Sequence, residues 1–513
     1  MATKSPRKAS SKRKKIKDSK VVDPKQVQSD SQLPSPEPER DVDQQDQGTT
    51  IYGHGDFQRL IFSFTVVALI VLLCHSHALT LVTRPVDHWC RPPSTFADLS
   101  PSMWKNIGIP LDEDGRPSEC LAYAQPGQQP NDTETYECDF WDYDPTHAAH
   151  SARSFWDLVC RRSSLVALGN AVYMSGALLV VPLAGYLADI FGRKIVITTG
   201  VVALLTSTAA TCIARVYSFF LMTKFVNSAC ASSIFVVSLT LLYEVAPLAY
   251  RVFYISVSCA VGTFFVDVLL LMLASFRLPW TLLQVIVLSP TVLLLLSACA
   301  VHESPVWLLV TSKFDEAQAV MLKAASMNNM SRNVAKQTMQ RLKVRNIYAE
   351  ALPCRLQFLI VVMALLGGTC SLCSIAIYAK PRLVGDVLLV FAQCCARVLV
   401  PSAYLYIAEL FPTGVRSAVL CGAYASGRLG AVAASALGLL EDLNREDLKL
   451  AIVGSGLLGV VVSMLGMPET SRGLIDVRAA ETDKDVLKLM QDTLDTSPRP
   501  RTMRKKKKAK PKP

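Results

Sequence analysis

The chain has 513 residues, of which 51% are hydrophobic, and its mean hydropathy is +0.30. This composition excludes an ordinary soluble protein, because the apolar residues form runs as long as the roughly 20 residues that a helix needs to cross a bilayer. The formal net charge of +11 includes lysine-rich runs near both ends. A nuclear signal is the competing interpretation of such runs, and the apolar runs argue against it.

Residues 1–55 are predicted to be a disordered, basic cytosolic arm. They begin with KSPRKASSKRKKIKDSK and continue with a segment rich in Asp, Gln, Pro and Ser. Residues 468–513 form a second basic cytosolic tail that ends in RPRTMRKKKKAKPKP. We expect both to be attracted to anionic lipids of the inner leaflet. The alternative is that both charge runs are simply solvated.

Ten apolar runs lie between these ends, and they predict an all-α polytopic membrane protein with ten spans. The first run starts too late and is too long to be a secretory signal peptide. The ten runs lie near residues 57–83, 164–187, 195–214, 217–242, 252–274, 280–300, 355–378, 383–407, 417–440 and 450–467.

Short basic loops predict the orientation, because cytosolic loops carry an excess of Lys and Arg. Arg193, Lys194, Arg251 and Arg416 mark one side repeatedly, together with the segment 313–345 and both basic ends. We therefore expect both termini to be cytosolic, and residues 84–163 to form a large extracellular loop.

The composition of this outer loop fits an oxidising compartment. Four cysteines predict two disulfides, whose pairing the spacing leaves open among three possibilities: Cys90, Cys120, Cys138 and Cys160. Asn131 begins a glycosylation sequon on the extracellular side. Asn329 begins another sequon, which we expect to be bare because it lies on the cytosolic side.

A polar signature occurs twice, 165 positions apart, and predicts two parallel halves. EVAPLAYR runs from Glu244 to Arg251, and ELFPTGVR runs from Glu409 to Arg416. The same shift places the second apolar run on residues 329–351, which are too polar to span. We therefore expect an N-terminal lobe at 56–300 with six helices, a cytosolic middle loop at 301–353 and a shortened C-terminal lobe at 354–467 with about four helices.

The segment GYLADIFGRK, residues 185–194, fits the loop signature Gly-x-x-x-Asp-x-x-Gly-Arg-Lys of the major facilitator superfamily. We expect Gly185 and Gly192 to permit a tight cytosolic turn, with Arg193 and Lys194 anchoring its cytosolic side. The resemblance implies that Asp189 meets the start of the superfamily's eleventh helix, near residues 415–417, when the cytosolic gate is shut. A helix N-terminus favours an anion.

Further stretches of sequence resemble one family within this superfamily. DHWCRPP, FWDLVCRR, ESPVWLL, YLYIAELFPTGVR and PETSRG occur in order along about 420 residues and are similar to the organic cation/anion/carnitine transporter family, solute carrier 22. That family normally has twelve spans. Against its pattern the chain passes from the middle loop almost directly into helix nine, so helices seven and eight are absent or reduced. Lys224 and Asn227 also stand where the family usually has arginine and glycine.

Ionisable residues deep in a span usually face a cavity. Arg428 lies twelve residues after Arg416, roughly 18 Å along the helix at 1.5 Å per residue. In the family this position often divides substrates by charge, and SGRLG resembles the anion and zwitterion carriers. The alternative is that Arg428 belongs to a structural ion pair.

Asp267 and Arg397 are further substrate-site candidates, and Asp267 could balance either arginine. Both could instead pair locally or snorkel. Lys224 is expected to snorkel, because it lies early in its helix.

These features predict a carrier of small organic ions, with anions or zwitterions favoured over cations. It would work by rocking two lobes about a midplane site, without enzymatic activity, cofactor, metal or nucleic-acid partner. The plasma membrane is the expected location, and the oligomeric state stays open. The alternative is a non-transporting, regulatory or shortened family member that lacks two helices needed for transport.

Overall fold

Helices occupy all ten apolar runs of the chain in its computed structural model, which describes residues 54–112, 115–127, 134–144, 151–247, 250–276, 278–331, 333, 356–377, 382–437 and 446–466. The basic ends lie outside these described residues. The helices of the first half that match apolar runs are α1 (Asp56–Val82), α4 (Ser164–Phe191), α5 (Arg193–Cys212), α6 (Tyr217–Val245), α7 (Arg251–Ser275), α8 (Trp280–Leu288) and α9 (Pro290–Ala298). Those of the second half are α12 (Leu356–Ile377), α13 (Arg382–Leu410), α14 (Arg416–Leu437) and α15 (Glu446–Leu465).

Within the described residues, seven helices are long and apolar enough to cross a membrane, and two shorter apolar helices lie at Leu359–Cys373 and Ala451–Leu465. The helix α14 is not among them, because it is built largely from Ala, Gly and Ser and carries Arg428. The chain is a multi-pass membrane protein. The number of ten spans remains a prediction.

Proline shapes three of the spans. The sixth apolar run is two helices rather than one, because Pro290 has no N–H to continue the ladder and begins α9 directly after Ser289. Pro182 and Pro401 lie inside α4 and α13 without ending them. Long spans tolerate such interruptions where neighbouring groups satisfy the freed carbonyls.

The outer loop has two small antiparallel sheets. The strand β1 (His88–Cys90) pairs with β4 (Trp141–Tyr143), and β2 (Leu121–Tyr123) pairs with β3 (Thr135–Glu137). Two short helices, α2 (Pro101–Gly108) and α3 (Ala152–Phe155), flank them.

Two disulfides cross-link this loop. One joins Cys90 to Cys138, and the other joins Cys120 to Cys160. The structure thus selects one of the three pairings that the sequence left open. Asn131 lies outside the described residues, so its glycosylation remains a prediction.

The helices of the first half pack around α6, which contacts α1, α4 and α5 extensively. Nearly every residue from Ala229 to Val245 on α6 is buried. A helix that is apolar on all sides is typical of the centre of a bundle.

In the second half, α12 packs against α13 and α15, whereas α14 packs chiefly against α4. The helix α13 also touches α7. The chain between α9 and α12 includes the short helices α10 (Pro305–Val310) and α11 (Phe314–Met327). The division into lobes, and the absence of helices seven and eight, remain predictions.

Candidate functional site

The turn between α4 and α5 consists of one glycine, and its backbone conformation requires that residue. Gly192 has φ +110°, and a Cβ atom there would meet Glu303 Oε2 at 2.5 Å. Gly185 does not belong to this turn, so its predicted role was wrong. It lies inside α4, where a Cβ atom would meet the Ser417 carbonyl oxygen at 2.6 Å. The glycine therefore permits close packing of α4 on α14.

Asp189 caps the N-terminus of α14. Its Oδ1 accepts a hydrogen bond from the Ser417 N–H at 3.3 Å, and its Oδ2 accepts one from the Ala418 N–H at 2.8 Å. The first N–H groups of a helix have no partner within the helix and carry its positive dipole end, so a carboxylate is stabilised there. The contact joins residues more than 220 positions apart at the point that the resemblance implied.

Arg193 holds three parts of the chain together. Its guanidinium lies 3.1 Å from Asp189 Oδ1 and 2.9 Å from Glu244 Oε1, and it donates to the Thr413 carbonyl at 2.8 Å. The Arg193 side chain is fully buried. Because a buried guanidinium needs charged partners and hydrogen bonds to offset its desolvation, this arrangement is sensitive to the loss of any one partner.

The two copies of the repeated signature meet at this point. Arg416 of the second copy donates to Glu244 of the first at 3.4 Å and to the carbonyl of Ala408 at 2.9 Å. Arg251 and Arg416 both lie over the ring of Tyr243, at 4.6 and 4.9 Å from its centroid. Glu409, the acidic residue of the second copy, is also buried. The ion pair that joins the two signatures is therefore formed by Glu244 of the first copy and Arg416 of the second.

Glu303 completes the cluster by capping the start of α5. Its oxygens accept hydrogen bonds from the backbone N–H groups of Arg193 at 2.8 Å and Lys194 at 3.0 Å. Burial raises the pKa of the Glu303 carboxyl above its ordinary value, and the backbone donors of Ser304, Lys194 and Arg193 oppose that shift. Sequence reasoning quoted the ESP segment only as a family feature and missed this role.

Trp307 on α10 also contacts these residues. Its indole N–H donates to the carbonyl of Asp189 at 2.9 Å, and the Arg193 guanidinium lies 5.5 Å from its ring centroid. We call Asp189, Arg193, Glu244, Glu303, Trp307 and Arg416 the charged cluster.

Arg428 lies in a second group of residues, far along α14. Its guanidinium donates to the Tyr424 hydroxyl and to Met174 Sδ, the latter at 3.4 Å. The Tyr424 hydroxyl donates to Ser232 at 3.1 Å. Within the described part of the chain, no carboxylate lies within ion-pair distance of Arg428. The predicted alternative, a structural ion pair, therefore has no support among those residues.

Tyrosines on three helices lie near Arg428. Tyr424 lies under the guanidinium, 4.6 Å from its carbon to the ring centroid. Tyr173 on α4 and Tyr404 on α13 are close enough to interact with it electrostatically. Sequence reasoning missed these tyrosines, although Tyr424 could have been found as the residue one turn before Arg428.

Asp267 and Arg397 pair with each other across α7 and α13, with Arg397 Nη1 2.6 Å from Asp267 Oδ2. Both side chains are about half exposed, at 46% and 51%. The pair neutralises itself, so Asp267 does not balance Arg428.

Lys224 contradicts the prediction that it snorkels to the surface. Its side chain is fully buried, and its ammonium nitrogen lies 5.3 Å from the ring centroid of Phe220. The reason is that Lys224 lies on the face of α6 that packs against the other helices, whereas Met222 and Val226 on the opposite face are exposed.

A family model for sugar and other transporters matches residues 122–351. Organic anion transporter 3 of Rattus norvegicus is 30% identical over 301 residues, which cover 56% of this chain and 53% of that protein. Solute carrier family 22 member 20 of Mus musculus is 29% identical over 290 residues, or 54% and 51% of the two chains. The organic cation transporter protein of Drosophila melanogaster is 28% identical over 287 residues, or 54% and 51%. The chain spans about half the length of the curated relatives it matches.

The structure of the proton:xylose symporter XylE bound to 6-bromo-6-deoxy-D-glucose matches the fold. The TM-score is 0.54 at 14% sequence identity, covering 81% of this chain and 98% of that one. At this identity the likeness concerns the fold alone. The chain therefore has the fold of this neighbour, which is named as a protein of the major facilitator superfamily.

The chain is related in sequence to the organic anion and cation transporters of solute carrier family 22. These relatives and the structural neighbour are transporters rather than enzymes, in agreement with the sequence prediction.

Proposed function

We propose that the protein is a carrier of small organic ions that prefers anions or zwitterions and works by alternating access. The observation that carries this proposal is Arg428, a guanidinium held by Tyr424 and Met174 with no carboxylate partner among the described residues. A substrate carboxylate or sulfate can form a bidentate, charge-assisted pair with that guanidinium. Such a pair offsets the desolvation of both groups.

The surrounding tyrosines suit an organic substrate. Tyr173, Tyr404 and Tyr424 combine apolar ring faces with hydroxyl groups, which can position the body of the substrate beside its charged end. The relatives include proteins named as organic anion and organic cation transporters. Names of both kinds leave the charge of the substrate open, so the preference for anions rests on Arg428.

The charged cluster supplies the gate in this proposal. It joins α4 and α6 of the first half to the start of α14 through Asp189, Arg193 and Glu244. In alternating access, one set of helices moves relative to the other about the substrate site. The contacts of the charged cluster would then hold one face shut and would have to break before that face opens.

Uptake measurements on Arg428 variants test the substrate site. Arg428→Ala should reduce uptake of an anionic probe by about 10-fold or more, because one charge-assisted pair contributes roughly 1.5–3 kcal/mol. Arg428→Lys should rescue only part of it, since lysine lacks the planar fork. Cation uptake should change much less.

The exchange pair Asp267→Arg with Arg397→Asp is a matched control. It reverses a neighbouring ion pair but keeps its net charge. If this exchange reduces anion uptake as strongly as Arg428→Ala, the effect is not specific to Arg428 and the assignment of the site to Arg428 is wrong. If a permanent cation is preferred and is unaffected by Arg428→Ala, the assignment to anions is wrong.

The alternative function is a family member that does not transport, which a shortened second half would favour. We predict from the sequence that helices seven and eight are missing. An inactive wild type that gains uptake when the corresponding helix pair of a full-length relative is inserted would support this alternative. We further propose that both termini are cytosolic and that the protein resides in the plasma membrane.

A further inference from the structure

A second buried cation lies in the first half of the chain. Lys224 on α6 is fully buried, and no described residue accepts a hydrogen bond from its Nζ atom. None of the carboxylates that the structure describes lies within ion-pair distance of it. A cationic group buried in this way is strongly disfavoured unless a counter-charge is present.

Buried polar groups from two more helices face the same region. His75 on α1 is 1% exposed, and Leu79, one turn further along α1, belongs to one buried cluster with Phe220, one turn before Lys224. Gln284 on α8 is 1% exposed, and its amide N–H donates to the carbonyl of Thr211 at 3.0 Å. Neither His75 Nδ1 nor Gln284 Oε1 has a hydrogen-bond partner among the described residues. Buried polar atoms without partners are rare in native proteins.

The hydrogen bonds of His75 allow one of its nitrogens to act as a donor. Its Nε2 lies 3.1 Å from the hydroxyl of Thr291. If the Thr291 hydroxyl donates to Nε2, the ring proton resides on Nδ1 and that N–H is available. Lys224 and His75 then offer donors from two helices, which is a set suited to an anion.

The position of Lys224 connects it to the disulfide-bonded loop. Lys224 is seven residues into α6, roughly 10 Å from the start of that helix. Trp156 of the loop contacts Phe220 at a centroid distance of 4.8 Å and donates from its indole N–H to the carbonyl of Arg215. The loop therefore covers the end of the bundle nearest to Lys224.

We propose that Lys224 and His75 bind a small inorganic anion, such as chloride, between α1, α5, α6 and α8. The anion neutralises the ammonium group and accepts hydrogen bonds from Lys224 and from His75 Nδ1. It is a structural counter-ion of the first half, held by Lys224 rather than by Arg428. This inference does not depend on transport.

The melting temperature of the full chain in lipid nanodiscs tests the site, measured at equal ionic strength in sodium chloride, sodium bromide and sodium gluconate. A ligand that binds only the folded state raises stability with its concentration. The wild type should melt about 2 °C or more higher in chloride or bromide than in gluconate. The Lys224→Met variant should show no difference between the salts.

Cys212→Asp provides a second variant in case Lys224→Met does not fold. Cys212 is exposed at the end of α5 and is an electrostatic neighbour of Lys224. An aspartate there supplies an internal counter-charge, so the chloride dependence should disappear while the melting temperature in gluconate rises. Wild-type protein should broaden the NMR signal of chloride in solution, and the Lys224→Met and Cys212→Asp variants should not.

Arg428→Gln is the matched control for location, because it removes the buried cation of the proposed substrate site. The chloride effect should persist in this variant. Equal melting temperatures of the wild type in chloride and gluconate would overturn the proposal. So would a chloride effect that survives Lys224→Met and Cys212→Asp but is lost in Arg428→Gln, because the anion would then bind at Arg428.

Discussion

Asp189→Asn is expected to loosen the contact between α4 and α14 without unfolding the protein. The carboxylate accepts two backbone N–H bonds at the start of α14, at 3.3 and 2.8 Å, and lies 3.1 Å from Arg193. Asparagine keeps one acceptor oxygen but loses the charge and presents an NH₂ group to one of the donors. Arg193 retains Glu244 and the Thr413 carbonyl as partners.

The magnitude follows from the number and kind of contacts. A hydrogen bond to a charged group contributes about 1.5–3 kcal/mol, and a partly buried charge at a helix terminus contributes up to about 2 kcal/mol. These contributions overlap, so we expect a loss of about 3 kcal/mol. The side chain of Asp189 is only 6% exposed, so screening by water reduces the expected loss of free energy only slightly. Since about 1.4 kcal/mol is a factor of ten, the ratio of closed to open forms should fall about 100-fold.

The rate at which the native thiol of Cys421 is labelled reports this opening. It is fully buried on α14, where a Cβ atom on Gly185 would meet its Cβ atom at 2.5 Å. Alkylation by N-ethylmaleimide, followed at each cysteine by peptide mass spectrometry, should be about 100-fold faster at Cys421 in Asp189→Asn when opening is rapid relative to labelling. Cys395, which is buried on α13 and contacts Gly367, is the internal control and should not change.

Two results would refute this reasoning. Equal labelling of Cys421 in the wild type and Asp189→Asn would mean that Asp189 does not hold the two helices together. An equal increase at Cys421 and Cys395 would mean that the substitution destabilises the whole protein and does not open one face.

Two further predictions concern the turn and the outer loop. Gly192→Ala should lower the melting temperature, because φ +110° costs a non-glycine residue about 1–3 kcal/mol and the new Cβ atom would meet Glu303. Gly414→Ala is the control and should have little effect, because a Cβ atom there meets nothing within 4 Å. Equal effects of the two substitutions would contradict the assigned role of Gly192 in the turn. Glycosidase should shift the gel mobility of the wild type but not of Asn131→Gln, whereas a shift lost only in Asn329→Gln would invert the predicted orientation.

The sequence was sufficient for features that depend on local composition. Long apolar runs predicted the helices at all ten positions, because a run of apolar residues of this length is stable only as a helix in a bilayer. The motif from Gly185 to Lys194 placed Asp189 and Arg193 at a helix junction, and Gly192 at the turn. Four cysteines predicted two disulfides, but their number and spacing could not choose the pairing.

Only the tertiary structure decided which charges meet, because the partners are far apart in sequence and each charge has several possible partners. Glu244 could have paired within its own signature, yet packing of α14 on α4 brings Arg416 to it. Gly185 was assigned to a turn because the motif begins there, whereas its lack of a side chain serves the contact between two helices. Lys224 was expected at the surface because of its place along α6, but it lies on the face of that helix that packs against neighbouring helices, whereas Met222 on the opposite face is 70% exposed.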